Sequence, residues 1–283
     1  FEHTSAIIRA LKDKIQGLRV DHRIHARFDM TYTAAIDALD DLLAAGAVDL
    51  VSVMDHTPGQ GQYRNVETLI ANRIKSGLSE GEARAHVARR IKDAVAAEQV
   101  LENLARISKL CASHGVAMAS HDDDTVEKSH LMADIGVVIS EFPVTIEAAK
   151  IAAKRGLMIA MGAPNAMRGQ SYSGNLSARD AHAAGLLHIL AADYHPAAIL
   201  PAIRALSKTD ADGLVGAVRL ASKNPAEALG LKDRGEIAIG KRADLAVVDA
   251  KDRVVQTFSA GDIIFSNGSW PATAQHSAVA AVA

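Results

Sequence analysis

A three-part unit recurs along the chain: a helix that ends in glycine, a short apolar run, and then a polar cluster. The copies begin at Gly46, Gly115, Gly136, Gly156 and Gly185, and continue as AVDLVSVMDHT, VAMASHDDD, VVISEFPV, LMIAMGAPN and LLHILAADYHP. Glycine is typical just past a helix C-terminus, and continuous apolar runs are typical of strands buried on both faces. The pattern therefore predicts parallel strands.

Helix starts are predicted after most of the polar clusters, so the repeating order is strand, polar loop, helix. They are Asp124 with Glu127, Thr145, Ser177 with Asp180, and Asn224 with Pro225 and Glu227. With an earlier strand at residues 19–29, six parallel strands are counted, whereas a closed barrel has eight. We therefore expect an α/β fold, a TIM-like (β/α)8 barrel truncated at its N-terminus to about six strands. The amphipathic helix at residues 1–17 begins with Phe1, and we expect two more strands upstream.

Residues 66–113 are too long for one barrel helix, and they predict a helical insertion within a barrel domain at residues 1–232. Such an insertion could cover the barrel mouth as a lid, decorate the fold passively, or contact a second copy of the chain. Its predicted parts are a helix from Val66, a turn at Gly77, a capping box from Ser79 to Glu82, and a long helix with Val100, Leu104, Ile107 and Cys111.

The chain changes character after residue 232. The segment GEIAIGKRADLAVVDA alternates, turns at Gly240 and ends in a strand-like run. Residues 254–264 predict another strand or two, and Asn267-Gly268 is typical of a hairpin turn. We expect a small C-terminal β-domain, a β-sandwich, at residues 233–272 and a frayed tail at residues 273–283.

Composition excludes several classes of protein. The chain has 283 residues with 49% hydrophobic content, enough for one barrel-sized core. A net charge of -2 gives no general attraction for nucleic acid or an anionic membrane, and no apolar run approaches membrane-spanning length. The single cysteine excludes a disulfide framework, so we expect a soluble, cytoplasmic protein. A homo-oligomer is left open.

Candidate chemistry lies in the polar clusters, because active sites of parallel barrels form at the carboxyl ends of the strands. Mixed carboxylates and imidazoles there suit zinc, with manganese or iron as alternatives. The clusters contain Asp55 and His56, His121 to Asp124, Glu141, Asn165, and Asp193 to His195.

The first strand, DHRIHARFD, supports a site in the same place. Side chains alternate across a strand, so Ile24, Ala26 and Phe28 share one face and Arg23, His25, Arg27 and Asp29 share the other. A charged face directed toward a barrel interior needs partners or a metal ion. We therefore expect this polar face to belong to the site.

Three residues are singled out as candidates. His56 and His121 each follow an apolar run and stand beside a carboxylate, the usual arrangement of a metal-bound imidazole. Asp193 follows the apolar run LLHILAA, where a charge without a role would be costly. The remaining histidines are interpreted as structural or surface residues, with His86 among them.

Two loops have the composition of an oxyanion or phosphate site. MGAPNAMRGQSYSGN supplies Asn165, Arg168, Ser171, Ser173 and Asn175, and DHTPGQGQYRN supplies Gln62 and Arg64. Backbone N–H groups, hydroxyls and guanidinium groups bind phosphates well. A merely tight loop has the same composition, and the sequence alone leaves both readings open.

These segments resemble a known family. DRGEIAIGKRADLAVVD resembles the closing β-domain of the amidohydrolase superfamily. More narrowly, DHRIHARFD, MDHTPGQGQYRN, ASHDDDT, EFPVTIEAA, MGAPNAMRG, SGN, ADYHP and NPAEALGL together resemble the diphosphatases of phosphonate metabolism in the carbon–phosphorus lyase pathway. The resemblance covers nearly the whole chain.

The resemblance implies hydrolysis of α-D-ribose 1-methylphosphonate 5-triphosphate to the 5-phosphate and pyrophosphate by metal-activated water. It implies one or two divalent ions, and Asp193 corresponds to the metal-bound aspartate that takes the proton of the water. Arg27, Arg64 and Arg168 would bind the phosphorylated substrate. The implied metal ligands are Asp29, His56, His121 and Asp193.

Departures from the family leave alternatives. The first-strand metal pair of the superfamily is expected upstream of Phe1, and without it we expect this fragment to be inactive alone. The family carries Glu where Asp29 stands and often His where Tyr172 stands, which allows a shifted substrate. The alternatives are an amidohydrolase that cleaves a C–N bond, such as a cyclic amidase or a base deaminase, and a non-catalytic relative without metal.

Overall fold

Six parallel strands lie side by side in one sheet, in the order in which they occur along the chain. They appear in a computed structural model that describes residues 2–171 and 174–269. The strands are β1 (His25–Asp29), β2 (Leu50–Met54), β3 (Ala117–His121), β4 (Ile139–Glu141), β5 (Met158–Gly162) and β6 (Ile189–Ala191). All five pairings are parallel, as the repeating unit predicted.

Helices connect the strands, which confirms the predicted alternation. The helices are α1 (Glu2–Ile15), α2 (Ile36–Ala44), α3 (Val66–Lys75), α4 (Glu80–Lys92), α5 (Ala97–His114), α6 (Val126–Asp134), α7 (Ile146–Lys154), α8 (Ala163–Arg168), α9 (Ala178–Ala183), α10 (Ile199–Leu206), α11 (Gly213–Arg219) and α12 (Lys223–Ala228). Within residues 2–171 and 174–269, β1 and β6 do not pair, so the described sheet is open. None of these helices is long and apolar enough to cross a membrane.

The five glycines that start the repeating unit all adopt positive φ, between 58° and 87°. That left-handed conformation ends a helix at little cost for glycine. Two of the predicted helix starts move by one or two residues. Thr125 caps α6 by accepting from Lys128 N, since the carboxylate of Asp124 accepts from Gly61 N instead. α12 begins at Lys223, because the Asn224 side chain donates to His188 O.

The first strand is shorter than predicted, because pairing with β2 starts only at His25. Its alternation is nevertheless confirmed: Ala26 is buried, and Phe28 packs against the same main cluster. His25 and Arg27 lie on the other face and make polar contacts with groups on neighbouring strands.

The core has two layers around the sheet. The main cluster lies between the strands and the helices and contains Val51, Ile159 and Leu206. A smaller cluster takes one apolar residue from each of β2 to β6, and these are Leu50, Ala119, Ile139, Ala160 and Ile189. Burial on both faces is the reason that the strands read as continuous apolar runs.

The predicted helical insertion has two parts. α3 and α4 pack on each other around Leu69, Ile70, Ala83 and Val87, a cluster separate from the main core. The predicted capping box from Ser79 to Glu82 is present at the start of α4. α5 begins anew at Ala97 and contributes Leu104, Ile107 and Cys111 to the main core, so it packs as a barrel-type helix.

A three-stranded antiparallel sheet closes the described chain: β7 (Leu245–Val248), β8 (Val254–Ser259) and β9 (Asp262–Ser266). The predicted hairpin turn at Asn267-Gly268 follows β9, and it stays a prediction because the chain after Ser269 lies outside the described residues. The turn between β8 and β9 is Ala260-Gly261, where the Asp244 carboxylate accepts from Ala260 N at 2.8 Å. Residues 235–244 form no strand. The predicted tail at residues 273–283 lies outside the described residues.

Candidate functional site

A polar cavity of about 320 Å³ opens at the carboxyl ends of the strands. This is where the sequence placed the chemistry, since side chains just past parallel strands converge on one edge of the sheet. Its polar lining comes from β1, from the loop after β2, from β3 and from the loops after β5 and β6. These residues are Arg27, Gln62, His121, Asp122, Asn165, Arg168, Ser171, Asn175 and Asp193.

His121, the last residue of β3, is held in one tautomer. Its Nε2 lies 3.2 Å from Arg27 Nη2, and its Nδ1 lies 3.2 Å from Glu141 Oε2. A guanidinium group only donates hydrogen bonds, so Nε2 is the acceptor and Nδ1–H donates to the carboxylate. The imidazole therefore presents Nε2 to Arg27 and Nδ1 to Glu141.

Glu141 ends β4 and supports this imidazole as an ionised carboxylate. Burial alone would raise its pKa, but the hydrogen bond from His121, the charge of His25 and the hydrogen bond from Ser52 Oγ at 2.7 Å together lower it. His25 in turn hydrogen-bonds Ser52 Oγ. A carboxylate bonded to the second ring nitrogen is the arrangement that orients metal-bound histidines.

Asp122 and Gly61 meet in a close backbone contact at the cavity wall. Burial raises the pKa of the Asp122 carboxyl, against the charges of His121 and Lys128, which lower it. Asp122 adopts a φ of 53°, and a Cβ on Gly61 would lie 3.2 Å from both its Cβ and its carbonyl oxygen. Gly61 is thus required for the loop after β2 to reach the end of β3.

Buried hydrogen bonds and a lysine hold the loop that follows His121. Asp123 is fully buried and accepts hydrogen bonds from the hydroxyls of Ser120 and Ser140. Lys128 Nζ lies 3.7 Å from Asp123 and donates to the carbonyl oxygens of His121 and Asp122. These contacts fix the backbone that carries the imidazole.

Asp193 lies two residues past β6, in a left-handed conformation with φ of 53°. The sequence suggested a buried charge, but its side chain is exposed on the cavity wall. Gly162 at the end of β5 lies beside it, since a Cβ there would be 3.7 Å from Asp193 Oδ2. The neighbouring Arg168 Nη1 donates to Tyr194 Oη at 3.0 Å.

His56 and Asp29 form a pair outside this cavity and line a second one. His56 Nδ1 lies 3.6 Å from Asp29 Oδ2, and Thr31 donates to Asp29 from its backbone N and its hydroxyl. Burial would raise the pKa of Asp29, but the hydrogen bonds from His56 and Thr31 lower it. The rings of His56 and His121 are 6.4 Å apart between centroids, so the two cavities are neighbours.

Pairs of these side chains have the nitrogen and oxygen donors that a divalent cation binds. Two ligands of one tetrahedral zinc ion lie about 3.4 Å apart, close to the separation of Asp29 and His56. However, no three His, Cys, Asp or Glu side chains within residues 2–171 and 174–269 are grouped to hold one ion. The four predicted ligands are thus not assembled into one coordination shell in this part of the chain.

Most of the predicted substrate-binding residues share the first cavity: Arg27, Gln62, Asn165, Arg168, Ser171 and Asn175. Arg64 does not, because the turn at residues 61–63 directs it toward a different groove beside α7. Asn165 lines the cavity and also accepts from Ala178 N, so it holds the start of α9 as well. Ser173 and Tyr172 lie outside the described residues.

Two lining residues, Phe142 and Pro164, lie outside the clusters that the sequence singled out. Phe142 packs edge-on against His121, with ring centroids 5.4 Å apart. The available signal was its position directly after a strand-ending carboxylate. Aromatic residues at such positions are more often core residues, which is why the sequence did not single it out.

Residues 73–264 match the Amidohydrolase family. The match spans more than half of the chain, and the chain belongs to this family. Members of the family generally use divalent metal ions.

A more specific similarity is to the alpha-D-ribose 1-methylphosphonate 5-triphosphate diphosphatase of Escherichia coli (strain K12). The two sequences are 40% identical over 259 residues, which is 89% of this chain and 67% of that protein.

Solved structures share the fold at low identity. A 5-methylcytosine deaminase from Klebsiella pneumoniae has a TM-score of 0.57 at 15% identity, over 93% of this chain and 67% of that one. A beta-aspartyl dipeptidase from Fervidobacterium islandicum AW-1 has a TM-score of 0.57 at 17% identity, over 98% of this chain and 74% of that one. At such identities the likeness concerns the fold alone.

Proposed function

We propose that the protein hydrolyses α-D-ribose 1-methylphosphonate 5-triphosphate to the 5-phosphate and pyrophosphate in phosphonate catabolism. The observation that carries the proposal is the polar cavity at the strand ends, where Arg27, Arg168 and Asp193 meet around one space. A diphosphatase of that name is 40% identical over most of the chain. A phosphorylated sugar needs cationic and amide donors together, and this cavity has both.

Substrate binding is assigned to the predicted set of side chains. The guanidinium groups of Arg27 and Arg168 would bind phosphate oxygens in charge-assisted hydrogen bonds. The amides of Gln62, Asn165 and Asn175 and the hydroxyl of Ser171 suit sugar hydroxyls and phosphonate oxygens. Arg64 and Ser173 complete the proposed set, Arg64 through the neighbouring groove.

Asp193 is the proposed catalytic base. Its carboxylate accepts a proton from water, and the water oxygen bonds to the α-phosphorus. The bond from that phosphorus to the α,β-bridging oxygen breaks, and the electron pair leaves with pyrophosphate. The support for this role is the exposed position of Asp193 on the cavity wall beside Gly162, where water has access.

We further propose one or two divalent ions, zinc first and manganese or iron as alternatives, with Asp29, His56, His121 and Asp193 among the ligands. The separation of Asp29 and His56 and the tautomer of His121 support this set.

We also propose that the six strands belong to a (β/α)8 barrel and that the protein acts in the cytoplasm. Its proposed partner is a small phosphorylated molecule. We propose no binding of nucleic acid or membrane, because the net charge is only -2. Assembly into a homo-oligomer is part of the proposal to be tested.

The test compares two activities of the purified, metal-supplemented full-length protein. Pyrophosphate release is measured with the methylphosphonate triphosphate and with nucleoside triphosphates, and ammonia release is measured with cyclic amides and nucleobases. We expect pyrophosphate release that is lost in Asp193→Asn. Ammonia release without pyrophosphate release overturns the proposal in favour of an amidohydrolase acting on a C–N bond. A protein without bound metal and without either activity favours a non-catalytic relative.

A further inference from the structure

A second cavity of about 320 Å³ lies between the loops after β1 and β2 and the C-terminal half of α4. Sequence patterns assigned no role to its α4 residues, and His86 was interpreted as structural. The charged and titratable side chains that line it are Asp29, His56, His86, Arg89, Arg90 and Asp93.

Two guanidinium groups with unpaired N–H groups line this space beside the His86 imidazole. Arg89 makes no hydrogen bond or ion pair with the part of the chain that the structure describes. Arg90 uses one Nη2 donor, to His56 O at 2.6 Å, and keeps further N–H groups. Nδ1 of His86 is buried and has no hydrogen-bond partner. Guanidinium N–H groups without partners in a cavity favour an anionic occupant.

The acidic side chains do not cancel these donors. Asp29 is engaged by both donors of Thr31 and stands beside His56, and is thus already partnered. Asp93 is the C-cap of α4, and its backbone N–H donates a hydrogen bond to Arg89 O. Its side chain is exposed at the rim of the cavity. Two arginines therefore face one carboxylate that is not otherwise bonded.

The second cavity adjoins the first through the neighbouring rings of His56 and His121. A substrate whose ribose lies in the first cavity would extend its polyphosphate chain past these imidazoles toward Arg89. The bond to be broken would then lie between the two cavities.

We propose that the second cavity is a pyrophosphate site, in which Arg89, Arg90 and His86 bind the β- and γ-phosphoryl groups of the substrate and then the leaving pyrophosphate. The assignment rests on the proposed function for its place in the reaction, and on the contacts above for its ligand class. It also gives α4 a role, because that helix supplies all three side chains.

Binding of pyrophosphate to the full chain is measured by titration calorimetry for the wild type, Arg89→Ala, Arg89→Lys and Arg84→Ala. Arg84 is the matched control, on the same helix but paired with Glu67 and Glu80 away from the cavity. We expect Arg89→Ala to weaken pyrophosphate binding about 10-fold or more, Arg89→Lys to weaken it less, and Arg84→Ala to leave it unchanged. Circular dichroism checks that each variant folds. Equal affinity in the wild type and Arg89→Ala overturns the assignment, as does equal loss in Arg84→Ala.

The second arm uses kinetics with the triphosphate substrate and pyrophosphate or orthophosphate as inhibitor. We expect competitive inhibition by pyrophosphate that weakens with Arg89→Ala, and much weaker inhibition by orthophosphate. Inhibition by orthophosphate as strong as by pyrophosphate overturns the assignment in favour of a simple phosphate site. Hydrolysis with no Arg89-dependent binding of pyrophosphate overturns this assignment alone. Arg89-dependent binding with no hydrolysis overturns the proposed function alone.

Discussion

Arg27 Nη2 donates a hydrogen bond to His121 Nε2 across 3.2 Å, from one strand of the sheet to another. The contact joins the cationic wall of the cavity to the imidazole that Glu141 orients on its other side. Arg27 can therefore act in two ways, as a phosphate-binding group and as a group that fixes the tautomer of His121. Both roles need Arg27 itself and not merely a positive charge elsewhere on β1 or its preceding segment.

Replacing Arg27 by alanine should lower kcat/KM for the triphosphate by a factor on the order of 10 to 100, because a charged hydrogen bond contributes about 1.5–3 kcal/mol. Arg23→Ala is the control, since Arg23 pairs with Asp21 and Asp49 outside the cavity. Steady-state kinetics of both variants checks this. Equal kcat/KM in the two variants would show that Arg27 has no role in the cavity.

A substitution in the small cluster between α3 and α4 should increase local unfolding of these two helices and leave the rest of the fold unchanged. Val87 is 1% exposed within its small separate cluster, so Val87→Ala should cost about 1–3 kcal/mol locally. We expect faster hydrogen exchange at residues 66–92 and little change in the sheet. Ile107→Ala, in the main core, is the comparison and should cost about 2–5 kcal/mol of global stability. Faster exchange across the whole sheet in Val87→Ala would contradict a separate unit.

Cys111 should be unreactive in the folded protein. It is 1% exposed on α5, and burial raises the pKa of its thiol to about 11. Thiolate is the reactive form, so almost none is present at pH 8. Because the sequence has one cysteine, a thiol-reactive dye reports this site alone. Labelling should be slow in buffer and stoichiometric in guanidinium chloride, and equal rates in both would contradict the burial.

Acid should weaken the link between the segment before β1 and the C-terminal β-sheet. Arg234 Nη1 contacts Asp21 at 2.8 Å and Asp244 at 3.4 Å. Burial would raise the pKa of Asp21, but the hydrogen bond and charge of Arg234, with those of Arg23, lower it. A lowered pKa in the folded state means that the stabilisation is present above the unfolded pKa of about 3.9 and is lost as pH falls through the folded one.

We therefore expect Asp21→Asn to cost about 0.5 kcal/mol at pH 7, the usual size for a partly exposed pair, and almost nothing at strongly acidic pH. Urea unfolding at both pH values measures the difference. Asp13→Asn, on exposed α1, is the control and should be neutral. A cost that grows as pH falls would have the wrong sign for this ion pair.

The sequence predicted the sheet and the position of the cavity well, because both depend on local signals. Apolar runs that end in polar residues place His121 and Asp193 at strand ends, and parallel strands bring those ends together. The glycines before each run predicted the helix ends for the same reason, since few other residues adopt positive φ at low cost.

The details that failed depend on contacts between distant segments. The direction of Arg64 depends on a tight turn that packs Gly61 against Asp122, which no local pattern encodes. The separation of His56 from the cavity of His121 is likewise a tertiary result. The turn between β8 and β9 was not predicted, because the bond from Ala260 N to the Asp244 carboxylate joins residues that are 16 positions apart.

The most direct test of the central claim is hydrolysis of the methylphosphonate triphosphate in ¹⁸O-water, followed by ³¹P NMR. Attack on the α-phosphorus in the first cavity, with pyrophosphate leaving through the second, predicts one equivalent of unlabelled pyrophosphate and ¹⁸O in the ribose 5-phosphate. Label in the pyrophosphate, or orthophosphate and a ribose 5-diphosphate as products, would contradict the account.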